Sequence, residues 1–124
     1  VLLGLALCAS PVWADRPHLD YTAVTKTATG DAPSSADVTL WDPAAGKRFF
    51  LLGVMACARN ASIEVELEVS NVDVIPPMRF ESTGCRVVEA GGGVIYESAT
   101  DAILTYTITG TGKFSILTWG YEDQ

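Results

Sequence analysis

Histidine is almost absent from this chain, since His18 is the only one in 124 residues. Nucleophilic triads need a positioned general base, which histidine usually supplies. His18 stands in a polar, proline-bearing stretch, Asp15–Asp20, which is typical of a linker and not of an active site. The sequence therefore predicts a non-enzymatic protein with no catalytic residues.

Cysteine is also scarce. Cys8, Cys57 and Cys85 are too widely separated for a zinc site, which needs paired ligands at short spacing. The loops around the aspartates lack the alternating acidic pattern of a calcium loop. We therefore expect no metal and no cofactor. Cys57 and Cys85 allow two interpretations, either a disulfide in an extracytoplasmic setting or two free buried cysteines that pack as small apolar residues.

Basic residues are outnumbered by acidic ones. Eight Lys and Arg stand against fifteen Asp and Glu, which gives a formal net charge of −7. So few cations cannot form a basic stripe against phosphates, and this excludes nucleic acid as a partner. Apolar residues make up 48% of the chain and charged ones 19%, which indicates a globular domain rather than disorder.

An apolar segment, Val1–Ala14, opens the chain and ends in a small-residue site, Val12-x-Ala14. This pattern is typical of a secretory signal, and the segment is too short for a stable membrane span. The alternative is an uncleaved apolar arm that packs on its own or a neighbouring subunit. We therefore divide the chain into the segment 1–14, a linker 15–20 and a β-domain 21–123.

No stretch after Ala14 has a helical period, whereas short runs of β-forming residues recur between turn residues. A glycine-rich link, Gly110-Thr111-Gly112, predicts a tight hairpin between the last two strands. The pattern as a whole predicts an all-β fold, a single antiparallel β-sandwich or jelly roll of about eight or nine strands.

The stretch from Arg48 to Ser70 predicts two consecutive strands. Ile63–Val69 alternates apolar and acidic residues, which indicates one buried and one solvated face, while Phe49–Ala58 is apolar throughout. If Arg59-Asn60 is a two-residue turn, the resulting hairpin sets Val54 opposite Val65 and the even-numbered residues of its first strand in the core.

The opposite face of this hairpin then carries an apolar stripe beside an acidic one. One interpretation is that another segment of the same chain covers the stripe. The other is that a second subunit covers it, because apolar patches with polar rims commonly mark interfaces. On the second interpretation the candidate subunit interface comprises Leu51, Gly53, Met55, Glu64, Glu66 and Glu68. Taken by themselves, the three glutamates indicate only a solvent-exposed strand face.

Aromatic residues supply a further candidate. Two or three of them exposed together could stack on a sugar ring, as in a carbohydrate-binding module, although strand alternation places most of them in the core or at its rim. The residues concerned are Trp41, Tyr96, Tyr106, Trp119 and Tyr121.

The order of motifs from Tyr21 to Glu122 resembles small jelly-roll structural proteins of tailed phages. The resemblance rests on a Thr-rich first strand, an entry Ala45-Gly46-Lys47-Arg48 to a long apolar strand, Gly91-Gly92-Gly93-Val94, Gly110-x-Gly112 and a closing Thr118-Trp119-Gly120-Tyr121-Glu122. It implies a fold similar to the tumour-necrosis-factor and C1q jelly rolls. It also implies a decoration, head-fibre or tail-associated role, in which a homo-oligomer, expected to be a trimer, sits on a capsid lattice at the virion surface.

The signal-like N-terminal segment instead favours a protein that is secreted from the cell. On that interpretation the chain is a secreted extracellular filament or surface subunit, whose N-terminal segment adds a strand to a neighbour's sheet edge.

Overall fold

The computed structural model describes residues 21–123, apart from the side chain of residue 61. The predictions for the segment 1–14, the linker 15–20 and His18 lie outside the described residues. Within the described part of the chain every regular element is a β-strand. This part of the chain contains no helix that is long and apolar enough to cross a membrane.

Eight strands form one antiparallel sheet, which confirms the all-β prediction. Pro76 and Pro77 lie between the fourth and fifth strands, where no ladder hydrogen bond is lost. The strands are β1 (Thr22–Ala32), β2 (Val38–Trp41), β3 (Phe49–Val69), β4 (Val72–Asp73), β5 (Met78–Phe80), β6 (Gly84–Glu89), β7 (Tyr96–Glu97) and β8 (Leu104–Glu122).

Two very long strands, β3 of 21 residues and β8 of 19, dominate the fold. They pair with each other along almost their whole length, from Phe49 opposite Glu122 to Glu68 opposite Thr105. Both predicted hairpins are therefore wrong. Neither Arg59-Asn60 nor Gly110-Thr111-Gly112 reverses the chain, and Val54 pairs with Thr118 and not with Val65.

The residues expected to form turns instead bend the ribbon of β3 and β8. The register of the pair shifts between Arg59 and Ser62, where Asn60 has a φ of 52°. Gly110, with a φ of 100°, lies opposite this point, and a Cβ there would overlap the carbonyl oxygen of Ser62. Residues with left-handed backbone conformation next to a bulge increase the local twist, and the strand bends there without ending.

The bend divides the sheet into two layers. The first layer contains β1, the C-terminal half of β8, the N-terminal half of β3, and β6 with β7. The second contains β2, the other halves of β8 and β3, and β4 with β5. The inward side chains of both layers belong to one core, as a β-sandwich requires; among them are Trp41, Phe49, Val54, Val65, Leu67, Leu104, Ile108 and Ile116.

A β-bulge at Leu52 corrects the predicted faces of β3. Leu51 pairs with Gly120 and Gly53 with Trp119, so Leu52 is the extra residue. An extra residue reverses the alternation, because side chains alternate with a period of two. Leu51 is therefore fully buried in the core of its own chain, and not part of an outward stripe as the sequence suggested. The even-numbered core prediction holds only beyond the bulge, from Val54 to Ala58.

Candidate functional site

The outward side of the first layer carries a band of apolar side chains. Met55 lies between Leu117 of β8 and Val87 of β6 in the strand register. Met55 and Leu117 are half-buried, whereas Val87 is 54% exposed. Leu52, carried outward by the bulge, and Trp119 extend the band along the two long strands. We call these five residues, Leu52, Met55, Val87, Leu117 and Trp119, the first-layer outer face.

Trp119 lies directly over Gly53 on this face. The two residues are opposite each other in the register, and a Cβ on Gly53 would overlap the indole ring. The absence of a side chain at Gly53 thus lets a large ring lie against the strand. Of the predicted interface residues, Gly53 and Met55 do lie on this side of the sheet, with Gly53 covered by Trp119.

An aromatic cluster continues the same side of the sheet. The ring centroids of Tyr21 and Tyr121 are 4.5 Å apart, and those of Phe50 and Tyr121 are 4.7 Å apart. The guanidinium of Arg48 stands 5.0 Å from the centre of the Phe50 ring. Partial burial, followed by the neighbouring Tyr21, raises the pKa of the Tyr121 hydroxyl. These rings cover Phe50, which is only 6% exposed although it points away from the core.

Cys57 and Cys85 border the other end of the first-layer outer face. They are opposite each other on β3 and β6 and are joined by a disulfide, with a Cα–Cα distance of 4.0 Å. Cys85 is exposed and Cys57 is half-buried. A shallow cleft of about 410 Å³ opens beside the disulfide, with Phe114 in its wall and Arg59 and Lys113 at its rim.

The outward side of the second layer has the opposite character. The predicted alternation is confirmed, because Ile63, Val65 and Leu67 are buried while the glutamates between them point outward. The neighbours of these glutamates across β8 are threonines and not apolar residues. Glu64 faces Thr109, Glu66 faces Thr107 and Glu68 faces Thr105. The acidic stripe and the apolar band therefore lie in different layers, and they are not adjacent as the hairpin prediction required.

Three carboxylates converge on this acidic side. Oxygen atoms of Glu66, Glu68 and Asp73 lie within 4.8 Å of one another, an arrangement that is common on protein surfaces without a bound ion. Partial burial, and then the charges of Glu68 and Asp73, raise the pKa of the Glu66 carboxyl. The pKa of Glu68 is also raised, first by partial burial and then by Asp37. Arg79 offers limited compensation, since its nearest approach to Glu64 is 3.6 Å.

A second charged group ties the end of β8 to the start of β3. Asp123 accepts hydrogen bonds of 2.8 Å from both the backbone N–H and the Nε of Arg48, and these bonds lower the pKa of the Asp123 carboxyl. Arg48 also donates to Glu97 at 2.7 Å. Glu122 accepts from the indole Nε1 of the buried Trp41 at 2.7 Å. These contacts hold the end of β8 against the start of β3 and so stabilise the first layer.

The structure thus separates the residues singled out from the sequence. Leu51 and Trp41 are buried in the core, Gly53 and Met55 lie on the first-layer outer face, and the three glutamates lie on the second layer. Sequence reasoning missed Val87 and Leu117. Leu117 alternates with the buried residues Ile116 and Thr118, which was a usable signal, whereas the position of Val87 depends on the pairing of β6 with β3.

Comparisons with known proteins add only distant likenesses. The sequence matches no protein-family model and no curated protein. The fold is similar to a chain in the virus-like particle of extra small virus of the giant freshwater prawn Macrobrachium rosenbergii, with 14% identity, a TM-score of 0.41, and 84% of this chain and 80% of that chain covered. It is also similar to the coat protein of Tobacco streak virus, with 10% identity, a TM-score of 0.33, and coverage of 82% and 86%. Likenesses with TM-scores below 0.5 assign no function to this chain.

Proposed function

We propose that this domain is a non-enzymatic structural protein that assembles with copies of itself through the first-layer outer face. The observation that carries the proposal is the composition of that face. It presents methionine, valine, leucine and tryptophan side by side on a sheet whose other side is already a complete core. Burial of such a surface against a partner removes apolar area from water, which favours association.

The distribution of charge supports a second copy as the partner. Glu64, Glu66, Glu68 and Asp73 are all on the second layer or its edge, whereas the first-layer outer face carries a single carboxylate, Glu89, opposite Gly53 and beside Leu52 and Trp119. Two chains of net charge −7 repel each other less when they approach through this side than through the acidic side of the second layer.

The setting that we propose is a virion, in which the homo-oligomer decorates or extends a larger lattice. This setting comes from the motif resemblance to phage jelly-roll proteins. The trimeric state and the decoration type are finer parts of the same proposal, carried by the resemblance alone.

Val87→Asp tests the proposed interface. Val87 is 54% exposed, so a carboxylate there leaves the monomer folded, but an interface would have to bury the new charge. We expect association to weaken about tenfold or more, measured by sedimentation equilibrium across a range of protein concentrations.

Val72→Asp is the matched control. Val72 is 66% exposed in β4, at an edge of the second layer, so the same substitution adds the same charge away from the proposed face. Association of this variant should stay close to that of the wild type. The proposal would be contradicted by a wild-type chain that stays monomeric at every concentration, or by an equal loss of association in the two variants.

A secreted filament or surface subunit is the second candidate, and the disulfide favours it. Exposed disulfides persist in oxidising compartments and are rare where thiols are kept reduced, and Cys85 is exposed. The proposed interface is the same in both settings. The mature N-terminus distinguishes them, because a chain that begins at Asp15 belongs to the secreted subunit.

A further inference from the structure

The strand β1 has one long edge that no described strand pairs with. Along its other edge β1 pairs with β8 without a register shift from Thr22 to Ala32. In the order of the sheet β1 is terminal, so the backbone from Ala23 to Asp31 presents an open ladder edge within the described part of the chain. An open edge of this length is a template for pairing with another chain.

The remaining sheet edges differ from β1 in length. The strands β2, β4, β5 and β7 have four residues or fewer, and β6 has six, including Arg86 and Glu89. Short and charged edges are the usual devices against unwanted strand pairing. β1 is much longer and contains no proline and no bulge. Its charged residues are Lys26, which lies on the inward side with Val24 and Ala28, and Asp31 near its end, so the middle of its outward side carries no charge.

The outward residues of β1 are suited to pairing with themselves. Thr25, Thr27 and Thr29 are exposed and alternate on the same side of the sheet as the first-layer outer face. Threonine pairs across strands are favourable. Lys26 and Asp31 cancel in charge, so this edge is neutral in a chain of net charge −7, and a second copy meets no net repulsion there.

We propose that β1 pairs antiparallel with β1 of a second copy about a two-fold axis at Thr27. Such an axis, perpendicular to the sheet, keeps odd-numbered residues outward in both copies, so odd residues pair with odd ones. Thr27 then faces its own copy, Thr25 faces Thr29, and Lys26 faces Ala28. Centring the axis on Lys26 would oppose two lysines. Centring it on Ala28 would shorten the overlap, whereas Thr27 is the midpoint of Ala23 to Asp31.

This contact deepens the proposed self-association. It extends the sheet of one copy into that of the next and sets their first-layer outer faces on one side of a continuous surface. An edge contact of nine residues is small compared with a stable interface. Its role is to join oligomers that the first-layer outer face has already formed, where the local concentration of edges is high.

Site-directed cross-linking tests the register. In a full-length Cys8→Ser background the pairing of Cys57 with Cys85 leaves an introduced thiol free. Directly opposed residues have Cα atoms about 4.5–5.5 Å apart, which suits a disulfide. Thr27→Cys should therefore form a covalent dimer under mild oxidation, and covalent capture detects even a weak contact.

Thr25→Cys and Thr29→Cys are the matched controls. Each of these residues lies about 13 Å along the strand from its own copy in the proposed register, so neither variant should cross-link alone. An equimolar mixture of the two should give the mixed dimer. Equal dimer yields from all three single variants, or no dimer from Thr27→Cys, would overturn the proposal. The second outcome is expected if residues 1–20 occupy this edge.

The same measurement in a Val87→Asp background separates the two contacts. Persistence of the Thr27→Cys dimer there, with a lower yield, supports an edge contact that is independent of the first-layer outer face. If Thr27→Cys gives no dimer in a chain that still associates through the first-layer outer face, the edge contact does not form. The proposed function is unaffected by that result.

Discussion

The pair of Gly53 and Trp119 shows how one missing side chain shapes the surface of this protein. The indole ring occupies the space that a Cβ on Gly53 would need, and Trp119 is half-buried as a result. A large apolar ring is thereby held close against β3 on the first-layer outer face. The same geometry makes Gly53 sensitive to the smallest possible substitution.

Gly53→Ala should lower the free energy of unfolding by about 1–3 kcal/mol, the usual cost of forcing atoms into a packed site. The added methyl group must push the rigid indole away from the strand. Urea denaturation followed by circular dichroism measures the loss.

Gly84→Ala provides the control for this prediction. Gly84 also lies in a strand, and a Cβ there meets no atom within 4 Å. This variant should show no loss, or a gain of about 0.4–1 kcal/mol from reduced freedom of the unfolded chain. Equal stability of the two variants would show that Trp119 does not press on Gly53.

At the scale of the strand, the ribbon of β3 and β8 explains what sequence reasoning could and could not determine. Alternation in Ile63–Val69 identified the buried and exposed sides correctly, because burial acts on every second residue of a strand. Asn60 and the glycines at 110 and 112 were identified correctly as special backbone positions. Their effect was predicted wrongly, because a left-handed residue serves a reversing turn and a bulged bend equally well.

Only pairing partners distinguish a turn from a bend, and these are long-range contacts. A hairpin would have paired residue 54 with residue 65, whereas Val54 in fact pairs with Thr118, 64 residues further along the chain. The bulge at Leu52 was invisible for the same reason, since the run Phe49–Ala58 is apolar on both sides and its alternation carries no information. The positions of Leu51 and Val87 follow from these two features.

Gly110→Ala tests the bend of the ribbon. Gly110 combines a φ of 100° with a backbone contact so close that a Cβ would overlap the Ser62 carbonyl. Backbone atoms cannot move aside as the end of a side chain can. We therefore expect a loss of unfolding free energy of about 1–2 kcal/mol for the left-handed conformation, and about 1–3 kcal/mol more for the overlap.

Gly91→Ala separates these two contributions. Gly91 has a φ of 61°, but a Cβ there would meet no atom within 4 Å. Gly91→Ala should therefore lose only the unfolding free energy of about 1–2 kcal/mol that the left-handed conformation costs. The same urea titrations measure this loss. Identical losses at both positions would show that the two strands are not closely packed at the bend.

At the scale of the whole molecule, charge is divided between two regions with opposite effects on stability. On the acidic side of the second layer, partial burial and then repulsion from the neighbouring carboxylates raise the pKa of Glu66. The far end of the first layer pairs Asp123 with Arg48 and lowers the pKa of Asp123. A net charge of −7 is therefore not spread evenly, and the two regions should respond to pH in opposite directions.

The sign of each response follows from linkage. A carboxyl group with a raised pKa in the folded state binds its proton more tightly there than in the unfolded chain. Ionised Glu66 therefore costs stability, and this cost appears as the pH rises through the window between its unfolded pKa, about 4.3, and its raised folded pKa. Asp123 is the reverse case. Its contribution is present above its unfolded pKa, about 3.9, and is lost as the pH falls through its lowered folded pKa.

Glu66→Gln and Asp123→Asn form a matched pair, since each removes one negative charge and keeps the shape of the side chain. At pH 7 we expect Glu66→Gln to be more stable than the wild type and Asp123→Asn to be less stable. Both differences in unfolding free energy from the wild type should shrink toward zero as the pH falls below the folded-state pKa values of Glu66 and Asp123, because the wild-type carboxyls are then protonated. Urea midpoints at several pH values between 3 and 7 measure this. A gain from both variants at pH 7 would mean that only net charge matters, and a loss from both would mean that the carboxylates of the second layer do not repel one another as their geometry requires.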